Sequence, residues 1–260
     1  MSDVRNLTGS IVALVTPFKD NGDVDFEALD RLVDFHLENG TDGILVLGTT
    51  GESTTMSHEE DDSVVYFTMK VVNHRVPVIA GSGSNDTQTQ IDKSRKYDHM
   101  GVDALLCITP YYNKANQQGM IYHFTKVADQ VSCPVILYNV PGRTGCGLSV
   151  KAVEQLSEHP RICGIKEASG VISVLANTNP RETHEMVSLF QQGDIKGSLA
   201  LQQKYLDLIH SLFCEVNPIP VKEALNAMGM GVGGYRLPLY PMEEANRQRL
   251  YNSMRKVGLL

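Results

Sequence analysis

Gly164-Ile165-Lys166-Glu167-Ala168-Ser169-Gly170-Val171-Ile172-Ser173-Val174 puts a lysine at the end of one apolar run and starts another almost at once. An apolar strand ending in an inward lysine dries the amine enough to make it a nucleophile, whereas most lysines are solvated surface charges. Lys166 is therefore either a reactive amine or an ordinary charge, and its neighbours have to decide. The join after it poses a separate problem. Neighbouring parallel strands need a crossover of about a dozen residues, while Lys166 to Val171 spans at most about 18 Å fully extended.

Outward from this stretch, short apolar runs alternate with amphipathic ones, the pattern of successive βα units around a parallel sheet. The candidate strands are Ser10–Thr16, Gly43–Gly48, Pro77–Ala80, Ala104–Thr109, Pro134–Asn139, Ile162–Lys166 and Val171–Ala176. They are continuously apolar, as expected where both faces are buried. Asp25 caps a helix carrying Leu29, Leu32, Val33 and Leu37 on one face, with Gly40 at its stop. Ser57 and Glu60 form a capping box, and Asn179-Pro180 offers a cap with proline at the first helical position. After Gly193 the strand signal ends, and Leu199–Phe213, Val221–Met228 and Met242–Val257 are predicted helices. The expected organisation is a barrel domain over residues 1–192 and a C-terminal helical region over 193–260, joined without a flexible linker.

Composition narrows the class of partner. The chain has 260 residues, 42% of them hydrophobic, enough for one α/β barrel. Its net charge is −7, with lysine and arginine dispersed, so the sequence predicts no nucleic-acid and no membrane partner and points to small molecules. The polar N-terminus and the lack of any run of about 20 apolar residues predict a soluble, cytoplasmic protein. Five widely spaced cysteines suit reduced thiols, and no HxH, HExxH or CxxC pair suggests a metal.

In parallel α/β folds the reactive groups follow the carboxyl ends of strands. Here those positions hold Gly48-Thr49-Thr50-Gly51-Glu52-Ser53, Gly81-Ser82-Gly83-Ser84-Asn85, Thr109-Pro110-Tyr111-Tyr112-Asn113, Tyr138-Asn139-Val140-Pro141-Gly142-Arg143-Thr144 and Lys166-Glu167. The threonine-rich turn offers hydroxyls and backbone N–H groups to a small carboxylate, or is simply a hydrophilic turn. Tyr138 is a phenol placed to exchange protons near Lys166, or a barrel tyrosine with a satisfied hydroxyl. Arg143 grips a carboxylate through its planar fork, or pairs with a surface acid. His58 opens a capped helix and His36 lies on a helical face, so neither looks like a metal ligand.

Together, Gly48–Glu52, Thr109–Asn113, Tyr138–Gly145 and Gly164–Ala168 resemble the dihydrodipicolinate synthase family. The likeness extends through Asn217-Pro218-Ile219-Pro220-Val221-Lys222 and Arg236-Leu237-Pro238. The resemblance implies an α/β fold of TIM (β/α)8-barrel type and a class I aldolase chemistry without metal or organic cofactor. Lys166 would form an imine with pyruvate, and the enamine would add to aspartate semialdehyde to give 4-hydroxy-tetrahydrodipicolinate. Tyr138 would be the acid–base, with Thr49 linking it to Tyr112, which in the family crosses from a neighbouring subunit; a homodimer or homotetramer is expected. Thr50 would bind the pyruvate carboxylate, Arg143 the carboxylate of the second substrate, and Ile172 would sit beside the imine.

The sister aldolases of N-acetylneuraminate and sugar acids share the lysine and tyrosine, but the Thr49-Thr50 pair and Arg143 favour the synthase. A lysine effector site would use Ser53, His58, Asn85 and Tyr111. Thr89 and Asp61 stand where lysine-sensitive members carry glutamate and, in some, histidine, so feedback is expected to be weak or absent.

The resemblance also identifies what the chain lacks. Between Gly170 and Val171 the family has a helix, a seventh strand and a further helix, a βα unit of roughly 30 residues or more. Either the written sequence omits residues of the molecule, or the loss is genuine and the barrel is gapped, rearranged or completed by another chain, or Ile162–Ala176 is one long bent strand. A genuine loss admits a catalytically impaired barrel that only binds carboxylates or a partner.

Overall fold

The computed structural model describes residues 7–166 and 171–260, so the join at 167–170 lies outside the described residues. All seven expected strands form: β1 (Ser10–Ala13), β2 (Gly43–Val46), β3 (Val78–Gly81), β4 (Ala104–Ile108), β5 (Val135–Tyr138), β6 (Ile162–Lys166) and β7 (Val171–Ser173). The helices are α1 (Phe26–Glu38), α2 (His58–Val72), α3 (Thr87–Met100), α4 (Gln117–Ala128), α5 (Pro141–Thr144), α6 (Val150–Ser157), α7 (Pro180–Gln191), α8 (Ile195–Ser211), α9 (Ile219–Ala227) and α10 (Glu244–Lys256). Among the described residues no helix is long and apolar enough to cross a membrane.

The chain divides into two compact units. In the unit built on residues 77–166, β3, β4, β5 and β6 pair in parallel in that order. Ile79, Leu105, Val135 and Leu137 from the strands and Met120 and Phe124 from α4 are buried in it. In the unit built on residues 8–76 and 171–260, β1 pairs in parallel with β2 on one side and β7 on the other. Aspartates just before two strands tie down the strand preceding each: Asp42 accepts from Ser10 N (2.7 Å) and Asp103 from Val78 N (2.8 Å).

The caps expected for α1, α2 and α7 form with one exception, and α8 starts at Ile195, four residues before the predicted Leu199. Asp25 caps α1 through Ala28 N, and Ser57 and Glu60 close the capping box on α2. Asn179 stands at the N-cap of α7 but makes no capping bond; its Oδ1 instead accepts the Thr178 hydroxyl at 3.0 Å. The seventh strand is also shorter than its apolar run. Ser173 Oγ accepts from Ala176 N, and Leu175–Asn177 forms a 3-10 turn. The Asn177 amide then takes the place of a strand partner for β1, donating to Ala13 O (2.8 Å) and accepting from Val15 N (3.2 Å).

Strands flanked on both sides by parallel neighbours are expected to be buried throughout. β1, between β2 and β7, meets this, with all four residues buried. β6 and β7, on either side of 167–170, each pair on one side only among the described residues and are less buried: Gly164 is exposed, Ile165 and Lys166 are half-buried, and Val171 is 43% exposed.

Two histidines are buried as neutral bases. His36, on α1, touches Thr41 Oγ1 at 3.2 Å, and burial lowers its pKa to about 3. His123, on α4, touches Thr87 Oγ1 and Gln90 Oε1; burial lowers it to about 4, with Asp86 opposing. Above pH ~6.5 both imidazoles are neutral folded or unfolded. Below it the unfolded chain takes up protons that the folded chain refuses, which removes about 1.4 kcal/mol per pH unit for each histidine. The denaturant midpoint should therefore fall from pH ~6.5 towards pH ~4, and His36→Leu should make that slope shallower by about one proton. An unchanged slope in the variant refutes this assignment.

Candidate active site

Lys166 ends β6 and is in register with Tyr138, which ends β5. Its Nζ lies 4.3 Å from the centroid of the Tyr138 ring. Burial first, and the Arg143 guanidinium second, lower the Lys166 pKa to about 8. At pH 7 about a tenth of the amine is then neutral, against fewer than about one in a thousand for an ordinary lysine. Among the described residues Lys166 has no carboxylate partner to hold it protonated.

Arg143 owes its position to a local rule. Proline at the first helical position starts the single turn α5, and Gly145, with φ 71°, stops it after one turn. Arg143 is left exposed, while Thr144 is buried and accepts from Thr109 Oγ1 at 3.2 Å. The loop after β4 is fastened to the same turn, since Tyr112 N donates to Thr144 O (3.2 Å). Tyr112 has φ 71° and is 87% exposed, so its ring projects from the chain instead of packing in it. Tyr111 is half-buried, and Asn85 accepts through its backbone carbonyl from Asn113 Nδ2 at 2.8 Å. Thr89, in the first turn of α3, spends its hydroxyl on Asp86.

In the other unit, the segment after β2 forms a 3-10 turn, Thr49–Gly51, followed by Glu52 in left-handed conformation (φ 55°) and a second turn, Ser53–Thr55. Gly51 sits in a tight place, since a Cβ there would stand 3.3 Å from Leu14 O, and Thr16 Oγ1 donates to Gly51 O at 2.7 Å. Thr50 is buried and its Oγ1 accepts from Asn217 Nδ2 at 2.9 Å. Ser53 donates to Asp61 at 3.0 Å, while His58 is exposed at the start of α2. Ile172 is half-buried on β7, in register with Ile11.

The segment is anchored by a buried ion pair. Lys222 Nζ lies 2.6 Å from Glu52 Oε1, with side-chain exposures of 0% and 1%. The ammonium also donates to Gly234 O (2.8 Å) and sits 4.2 Å from the centroid of the Phe18 ring. Burial lowers the Lys222 pKa to about 8, and Glu52 opposes the shift. Arg236 clamps the same region, bonding Glu60, Gly22 O and Thr55 O. In the sequence Lys222 and Asn217 stand out only as parts of a tail motif. The signal was a lysine among the apolar residues Val221, Ala224 and Leu225, but its carboxylate stands far away in sequence.

The Dihydrodipicolinate synthetase family matches residues 6–171 and 168–257. The chain belongs to this family. It is 46% identical to the 4-hydroxy-tetrahydrodipicolinate synthase of Lachnoclostridium phytofermentans, covering 97% of this chain and 99% of that protein. A crystal structure of dihydrodipicolinate synthase aligns with a TM-score of 0.96 at 41% identity, covering 98% of this chain and 100% of that one. The chloride-inhibited Acinetobacter baumannii dihydrodipicolinate synthase, solved in complex with pyruvate, gives 0.95 at 39% identity over 98% and 100% of the two chains. The fold is therefore the family's (β/α) barrel type with its C-terminal helices.

The family match breaks in two at residues 168–171, where the sequence lacks a βα unit. Consistently, the alignment with the Lachnoclostridium protein runs over 290 positions, more than the 260 residues of this chain, so the relative has residues with no counterpart here.

Removing one partner of a buried pair leaves a stranded charge, which typically costs about 3–5 kcal/mol, whereas removing both is far milder. Lys222→Met should accordingly destabilise the protein by about that amount, and adding Glu52→Gln should recover most of it. Urea unfolding of the two variants decides the point; strictly additive losses would show that the pair is uncoupled.

Proposed function

We propose that this chain joins pyruvate to aspartate semialdehyde through an imine on Lys166, yielding 4-hydroxy-tetrahydrodipicolinate. The observation that carries the reading is the dried, cofacial Lys166–Tyr138 pair at the carboxyl ends of adjacent strands. A neutral Lys166 amine attacks the ketone carbon of pyruvate, and loss of water gives a protonated imine that acts as the electron sink. Removal of a methyl proton gives the enamine, whose carbon adds to the aldehyde. The amino group of the second substrate then displaces Lys166, closing the ring and freeing the enzyme. Tyr138 carries protons to and from these intermediates.

Arg143 serves twice in this proposal. It receives the carboxylate of the aldehyde substrate, and its charge keeps the Lys166 amine from holding its proton. The resemblance assigns Thr50 to the pyruvate carboxylate, Thr49 to the proton relay with Tyr138 and Tyr112, and Ile172 to the imine. The exposed Tyr112 ring supports a homo-oligomer in which this tyrosine serves a neighbouring subunit. The likeness supports pyruvate and aspartate semialdehyde as partners, and biosynthesis of lysine and diaminopimelate as the setting.

Borohydride reduction in the presence of pyruvate should fix a pyruvyl adduct on Lys166, and Lys166→Ala should give none. The trapping rate should rise with pH up to about 8 and level off, following the neutral amine. Arg143→Ala should move that profile to higher pH, because the charge that depresses the amine is gone. Tyr138→Phe should slow imine formation about a hundredfold or more. Folded protein that yields no adduct sinks the synthase reading. The break at 168–171 would then favour a barrel that only binds carboxylates.

Thr89 is committed to Asp86 and carries no charge to grip the amine of a lysine effector at the Ser53, His58, Asn85 and Tyr111 positions. Feedback by lysine should be weak or absent; inhibition at micromolar lysine in a coupled assay would overturn this.

A further inference from the structure

We infer that Asn217 is a positioning residue for the α-keto acid, setting the direction in which the Thr50 hydroxyl donates. The inference rests on the pyruvate reading above and deepens it. A threonine hydroxyl has one proton and two acceptor lone pairs, so whichever neighbour donates to it leaves the proton free for something else. Asn217 Nδ2 donates to Thr50 Oγ1 at 2.9 Å. The Thr50 proton is thereby left for an acceptor, and a carboxylate oxygen is a strong one.

Both side chains are buried, Thr50 at 3% and Asn217 at 7% exposure, so bulk water does not compete for the pair. A hydroxyl oriented inside the protein binds an anion more strongly than one that has to be reoriented from water. Were the amide turned over, its oxygen would take the Thr50 proton and the hydroxyl would present only lone pairs to the carboxylate.

The amide is held in place by its surroundings. Asn217 immediately precedes Pro218 and α9, and Lys222, on the first turns of that helix, is locked onto Glu52. Thr50 and Glu52 belong to one short segment, and Asn217 and Lys222 to another, so two buried contacts fasten the same two segments together. Asn217 Oδ1 is buried without a hydrogen-bond partner among the described residues. A buried acceptor left open is unfavourable for stability, which fits a residue present for its effect on Thr50 and not for the fold alone.

The test measures the pyruvate concentration that half-saturates borohydride trapping, together with the thermal midpoint. Asn217→Asp keeps the shape but accepts the Thr50 proton, so half-saturation should rise about tenfold or more while the trapped fraction at saturating pyruvate is unchanged. Asn217→Ala should weaken binding alone, yet change half-saturation by less than about twofold in a Thr50→Val background, where there is no hydroxyl to orient. If the alanine variant does not fold, the near-isosteric aspartate carries the test.

Wild-type protein that traps pyruvate while Asn217→Asp stays within about twofold of it overturns the inference alone, as does a full additive loss in the Thr50→Val background. Folded wild-type protein that traps no pyruvate overturns the pyruvate reading, and this inference with it.

Discussion

Drying a lysine is the constraint on which the chemistry of this protein depends. The fold does it twice, and in both cases burial lowers the amine to a pKa of about 8. What differs is the company. Lys222 meets Glu52 at 2.6 Å and a backbone carbonyl, which oppose the effect of burial and fix the amine as a structural bolt. Lys166 meets an aromatic face and the repulsion of Arg143, so a useful share of it is neutral near physiological pH. The same desolvation gives a clamp where a carboxylate is supplied and a nucleophile where it is withheld.

The second constraint is geometric. Parallel pairing needs long crossovers, and each of the first six strands is followed by at least one helix or a helical turn except at the join after β6, where only residues 167–170 separate it from β7. The family match divides at the same place. Within each unit the strands pair in parallel, with one register irregularity between Val135 and Ile136 where β5 meets β6, and the exposed strand residues Gly164 and Val171 fall on β6 and β7, the strands that flank the break.

Much of this was legible in advance, for reasons that differ by element. The strands could be found because burial on both faces demands unbroken apolar runs, and α1 and α2 because Asp25 and the Ser57/Glu60 pair cap by local rules. The end of β7 was not legible. It depends on Ser173 and Asn177 bonding groups that are either local but non-repetitive or far off on β1. Asn179 misled for a similar reason, since a capping residue is recognised by type while its actual partner here is the neighbouring Thr178 hydroxyl.

The sequence by itself determined the alternation of strands and helices, the placing of Lys166, Tyr138 and Arg143 after apolar runs, and the absence of a crossover beyond Gly170. These are properties of order and spacing, which are written along the chain. Only the tertiary structure decided that Tyr138 faces the Lys166 amine, that Arg143 lowers it, that Glu52 is answered by Lys222, and that Asn217 donates to Thr50. Electrostatic and hydrogen-bond energies depend on distance and burial, and residues 167 positions apart in sequence, as Thr50 and Asn217 are, acquire both only when the chain is folded.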